Sequence, residues 1–229
     1  MESTRLGGFS AILLGLCYVL TVIFVLLSPP GENAVVDHVT YMNKLISVHY
    51  ILGFAGLFGI MAVLTISKTL EKHLVYSEWF PYTKVMAIIG FALLSINNFR
   101  QVGMDHELAH QAMNTGGTVY DTIVLAWAGL VELSPQGWID FGFVGIWILT
   151  VSLYSLKYIN RKAHSLIGIV GGSCFILTVM GNVFGVQLLV MFGMGLGGLI
   201  MVPLWFLLTG SSLIKNHNKT ITTSNTKSF

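Results

Sequence analysis

Asp105-His106-Glu107-Leu108-Ala109-His110 is the stretch whose residue types and spacing could do chemistry. On a helix, His106 and His110 stand one turn apart on one face, where both imidazoles can reach a single Zn²⁺ at about 2.0–2.1 Å. Glu107 beside them can take a proton from metal-bound water. His106 and His110 are therefore candidate metal ligands, Glu107 is the candidate catalytic base, and zinc is the cofactor such a site would hold. A catalytic zinc needs a third protein ligand. Glu132, 22 residues beyond His110, is the candidate, with Asp121, Asp140 and His49 as further groups on the same side of the chain. The same residues also read as a solvated helix rich in His, Asp and Glu, with no metal.

A second set of polar residues interrupts otherwise apolar runs. His49, Asn97, Asn98, Arg100 and Asp140 are candidate pocket residues, and Asn182 and Gln187 fall at the same depth. Such groups are costly in lipid unless they are paired or wet, so they read either as a polar pocket or as helix–helix hydrogen bonds. Arg100 is expected to pair with Asp140 or Asp105.

Composition names the solvent these elements must live in. Of 229 residues, 54% are hydrophobic and 10% charged, where soluble domains carry about 25% charged residues. The chain is expected to be a membrane protein with the lipid bilayer as its partner. A net charge of +2 gives no reason to expect nucleic acid. Two cysteines exclude a disulfide scaffold and a Cys-rich metal site. Cys17 and Cys174, isolated in apolar runs, read as small hydrophobes.

The uncharged run from Leu6 to Leu27 makes about 33 Å of helix, enough for a hydrocarbon core of about 30 Å. It is too long for a signal-peptide core and runs into Ser28-Pro29-Pro30-Gly31, which reads as an uncleaved span followed by a turn. Leu45–Ser67 is the second span, and its Gly53-x-x-Gly56-x-x-Gly59 series lets another helix approach closely. Val85–Phe99 and Phe141–Leu156 are the cores of the third and fourth spans, extended at their outer ends. Ser165 to Ile214 has no charge and would be about 75 Å as one helix, so it must fold back near Gly181–Gln187. That leaves spans at about Leu166–Val183 and Leu188–Leu208, the last bent at Pro203. The Gly193-x-Gly195-x-Gly197-Gly198 run in it suits close packing and not a phosphate loop.

Charge placement supports this count, because Lys and Arg are retained on the cytoplasmic side. With the N-terminus inside, ten basic residues fall in the cytoplasm and only Lys44 and Arg100 outside, so the inner face carries +7 and the outer face −5. His164, Arg161 and Lys162 form a basic cytoplasmic turn that anionic lipid would attract. The expected fold is all-α and polytopic: six transmembrane helices, both termini cytoplasmic, in the cell membrane. Residues 1–214 form one domain and 215–229 a disordered cytoplasmic tail. Between spans three and four a long outer loop runs from about Met104 to Gly137, and Thr122–Val131 in it reads as an interfacial or re-entrant helix.

Two resemblances add to this. The H-E-x-x-H stretch, with uncharged Leu108 and Ala109 between its histidines and Gln111 and Ala112 after them, resembles zinc metalloproteases. That resemblance implies ligand roles for His106 and His110 and a general-base role for Glu107. The second half, with Gly137-Trp138-Ile139-Asp140-Phe141-Gly142-Phe143 opening one span and Pro203-Leu204-Trp205 inside the last, resembles small bacterial six-span membrane proteins with no assigned function. The functional expectation is a module that binds, senses or handles a small solute or lipid through an outward-facing polar pocket. The alternative is a metal-dependent membrane hydrolase.

Overall fold

The computed structural model describes residues 2–27, 34–72, 77–115, 134–159 and 162–225, and every regular element among them is helical. The helices are α1 Glu2–Leu26, α2 Ala34–Glu71, α3 Trp79–Thr115, α4 Phe143–Tyr158, α5 Lys162–Phe184, α6 Gln187–Phe192 and α7 Val202–Asn225. A π-helical turn, Trp138–Gly142, leads into α4, and a π-helical segment, Gly193–Met201, joins α6 to α7. Six stretches are long and apolar enough to cross a membrane: Thr4–Phe24, Lys44–Glu71, Trp79–Met104, Trp138–Tyr158, Lys162–Phe184 and Gln187–Lys215. The chain is a multi-pass membrane protein.

Each span packs on its neighbours in sequence, and α1 closes on α7, so the six form a ring. Large apolar side chains such as Leu13, Leu16, Leu57, Leu64 and Leu153 point out of it. With no aqueous drive between helices in lipid, close packing has to hold the ring. The three glycines of the Gly53–Gly59 series all face α3, as their spacing predicts. A Cβ on Gly56 would stand 2.5 Å from the carbonyl oxygen of Phe91, and one on Gly53 2.7 Å from the ring of Phe99. The interior is aromatic. Trp147 lies against Trp205 and Phe206 with ring centroids 5.7 and 6.4 Å away, and Phe206 meets Phe91 at 6.2 Å. Trp147 also donates its indole N–H to Ser67 Oγ at 3.1 Å, tying α4 to α2 across the ring.

The spans occur where they are expected, but several helices run further. The α2 helix begins at Ala34, before Leu45. The α3 helix continues to Thr115, so the loop expected from Met104 starts later; Glu107, Leu108, Ala109, Gln111 and Ala112 are all good helix formers. The α7 helix continues to Asn225 through the stretch expected as a disordered tail from residue 215. No Gly or Pro interrupts that stretch, and extending a formed helix costs far less than starting one. The break between the fifth and sixth spans falls at Gly185, whose φ of +67° suits glycine. The departure from α geometry in the last span is the segment just before Pro203, where proline's ring crowds the preceding turn. The interfacial helix expected at Thr122–Val131 lies outside the described residues.

These contacts set an expected contrast. A Cβ at Gly168 would overlap Ser152 Oγ and the indole of Trp205, whereas one at Gly103 meets nothing within 4 Å. Gly168→Ala is expected to lower stability by about 1–3 kcal/mol, and Gly103→Ala to leave it level or raise it slightly. Thermal unfolding in detergent checks this, and equal midpoints for the two variants would refute the packing at Gly168.

Candidate functional site

The bundle has two ends. One carries the start of the fourth span and is called here the Asp140 end; the other, where α4 gives way to α5, is the His164 end. At the Asp140 end the chain enters the fourth span through Ser134-Pro135, a pairing suited to helix starts because the hydroxyl accepts backbone N–H groups and proline needs none. Ser134 Oγ accepts from the N–H groups of Ile139 at 3.0 Å and Asp140 at 3.2 Å, and donates to Asp140 Oδ1 at 2.5 Å. The N–H of Phe141 donates to the same oxygen at 3.1 Å. Within this turn Gln136 has a φ of +56°, a left-handed conformation that costs a side-chain-bearing residue about 1–2 kcal/mol. Asn182 Nδ2 donates to its carbonyl oxygen at 3.1 Å, which holds the turn against the end of α5.

The π turn reaches far into the ring because α3 offers a glycine where it arrives. A Cβ on Gly90 would sit 2.7 Å from the carbonyl oxygen of Ile139. Beside this contact lies a cavity of about 140 Å³ to which all six spans contribute. Tyr18 and Thr21 come from α1, Leu52 from α2, and Phe91 and Leu94 from α3. The π turn adds Asp140 and Phe141, α5 adds Phe175, and the second π segment adds Met194 and Gly198. Both π-helical stretches among the described residues therefore line the same cavity, and π segments recur at functional sites. Its walls are mostly apolar, and Phe141 and Phe175 meet edge to face at 5.4 Å. The hydroxyl of Thr21 is buried and has no hydrogen-bond partner in the protein, an arrangement that calls for a water or a ligand.

His49 and Asn98 lie one helical turn nearer the Asp140 end than Leu52 and Leu94. Asn98 Nδ2 donates to the carbonyl oxygen of Leu94 at 2.7 Å, so its Oδ1 is the acceptor for His49 Nδ1–H at 2.9 Å. This pair bridges α2 and α3 at the rim of the cavity. Of the pocket residues expected together, the structure places Asp140 in the cavity wall and His49 and Asn98 at its rim. Asn97 and Arg100 are not in the wall: Asn97 keeps its Oδ1 buried without a partner, and Arg100 is exposed. Asn182 and Gln187 are also exposed. The Asp140 carboxylate is held by Ser134; Arg100 was expected to pair with Asp140 or Asp105, and the side chain of Asp105 lies outside the described residues.

Tyr18 and Thr21 were not singled out from sequence, because one hydroxyl in an apolar span looks like any other until the opposing helices are known. Neither was the second cavity, about 60 Å³ at the His164 end, lined by Thr69, Ser155, His164, Ser165 and Thr209 along with Trp205. Ser165 Oγ there is also buried without a partner. Between the cavities stand the aromatics described above: Phe91 walls the first, Trp205 walls the second, and the ring of Phe206 packs against those of both residues.

The backbone of α3 is helical through His106, Glu107 and His110, so the motif has the one-turn spacing its chemistry needs. Glu107 is exposed. The side chains of His106 and His110, and all of Glu132 and Asp121, lie outside the described residues. Among the described residues no three His, Cys, Asp or Glu side chains gather as a metal site would require. Comparison with protein-family models, with curated proteins and with solved structures found no match.

The His49–Asn98 bridge gives a direct check. In a double-mutant cycle with His49→Ala and Asn98→Ala, the two losses are expected to couple by about 0.6 kcal/mol and by no more than about 1.7 kcal/mol. Strict additivity of the two unfolding free energies would mean that the bridge is not formed.

Proposed function

We propose that this membrane protein binds a small solute in the cavity at its Asp140 end. The observation that supports this reading best is a cavity shared by all six spans whose single buried, unpartnered hydroxyl, Thr21, faces apolar walls. Its size suits the role, since an apolar cavity of about 150 Å³ takes up benzene. A one-ring solute fits. The excess of Lys and Arg toward the other end assigns the Asp140 end to the outside, so the solute is met there, and the His49–Asn98 bridge stands where it would enter. The aromatic stack beyond the cavity makes it a binding chamber, not an open pore.

Solute binding is tested by the thermal stability of the full chain in detergent with toluene, benzyl alcohol and benzylammonium. A ligand at 100 times its Kd is expected to add about 2.7 kcal/mol, a rise of several degrees in the unfolding midpoint. Gly198→Leu fills the cavity, where a Cβ meets only ordinary contacts at 3.5 Å and beyond, and is expected to abolish the rise. A panel without effect, or a rise that survives Gly198→Leu, would overturn the reading.

One observation favours a second reading, a metal site on the extension of α3: the helix continues unbroken through His106 and His110. On that reading the protein purified without chelator carries about one zinc per chain, lost on the double substitution His106→Ala/His110→Ala and kept on Glu107→Gln. Elemental mass spectrometry decides it, and metal-free wild-type protein would reduce the motif to a polar helix face.

A further inference from the structure

Building on the solute-binding reading, we propose that the ligand of the Asp140-end cavity is a small organic ammonium ion, its cationic head beside Asp140 and Thr21 and its apolar body against the aromatic wall. Three features of the wall point this way. Among the described residues Asp140 is the only one of charged type that lines it, with no Lys, Arg or His, so the chamber favours a cation over an anion. Four of its side chains, Tyr18, Phe91, Phe141 and Phe175, are aromatic. Ring faces are the surface on which ammonium ions are held. The Thr21 hydroxyl lacks any protein partner and accepts a hydrogen bond from an ammonium N–H as readily as from water.

The carboxylate is also prepared for this task. Both bonds from Ser134 and Phe141 fall on Oδ1; they fix the group's orientation, while a carboxylate has acceptor sites on two oxygens. The carboxylate is half-buried, and a charge partly withdrawn from water gains from an opposite charge beside it, which the ligand supplies. The remaining volume, about 140 Å³ in all, limits the body to about one ring or a few carbon atoms. A neutral solute of the same shape would fill the apolar wall and leave the carboxylate and Thr21 unmatched. An anion of that shape would face the carboxylate directly.

The test is binding to the detergent-purified full chain by isothermal titration and thermal shift, with four one-ring probes: benzylammonium, benzyl alcohol, toluene and benzoate. Benzylammonium is expected to bind about tenfold or more tightly than either neutral probe, and benzoate not at all. Asp140→Asn keeps the shape of the side chain and is expected to erase that preference. Should Asp140→Asn disturb the turn held by Ser134, Thr21→Val provides an independent arm: a several-fold loss for benzylammonium with toluene unchanged. Neutral probes or benzoate binding as tightly as benzylammonium would overturn the ammonium assignment and leave solute binding standing. No binding by any of the four would overturn both.

Discussion

The hold of Ser134 on Asp140 sets the position of everything at that end of the bundle. A carboxylate at the mouth of a helix ring has a strong claim on water, and an unrestrained one would turn outward. Ser134 accepts hydrogen bonds from the two backbone N–H groups that open the turn and donates its own to the carboxylate, so one hydroxyl caps the helix and aims the acid together. The π-helical turn follows from this. With Asp140 fixed by Ser134 and Gln136 fixed by Asn182, the chain between them widens, and Gly90 gives the widened backbone room to approach α3.

The cavity has its origin in the same conflict between regular packing and fixed points. Glycine contacts draw α2 onto α3 and α5 onto the Gly193–Met201 segment: a Cβ on Gly56 would meet Phe91 O, and one on Gly193 would stand 2.6 Å from the carbonyl oxygen of Cys174. The two π stretches meet Phe175 there, one through Phe141 and the other at Gly198, and their wider turns place the side chains that border the cavity out of a regular α register. Gly198 lines this space, and the atoms nearest a Cβ placed there belong to Met194 and the edge of Phe175, at 3.5 Å and beyond. Larger residues at position 198 would close the chamber at little structural cost, so the glycine is best understood as making room.

The six spans were legible in the sequence because hydrocarbon thickness acts on long stretches and leaves a composition signal that no packing detail can hide. The close approach at Gly53, Gly56 and Gly59 was legible for the same kind of reason: small residues at one-turn spacing have few other uses in lipid. Element ends were less legible, since α3 and α7 simply continue where composition turns polar. The grouping of polar residues was legible by depth and not by direction. His49 and Asn98 were expected with Asp140 and do lie at that end, yet they bond to each other at the rim. Tyr18 and Thr21, from a helix read only as the first span, complete the wall. Depth follows from position along a span, but facing depends on how six helices rotate against one another, which one chain's spacing does not encode.

Solute binding and solute passage are separable in this architecture. The indole of Trp147 is anchored to Ser67 from the other side of the ring, and Trp147, Trp205 and Phe206 are buried to within 2% of complete exclusion from solvent. Parting such a stack exposes aromatic surface worth several kcal/mol and breaks the indole bond. A ligand bound as proposed would have no reason to do either, because its contacts with Asp140, Thr21 and the aromatic walls would be made with the stack in place. Any route to the smaller cavity at the His164 end therefore needs a second source of free energy, and Ser165, its own buried and unpartnered hydroxyl, would recover only a small part of what the stack gives up.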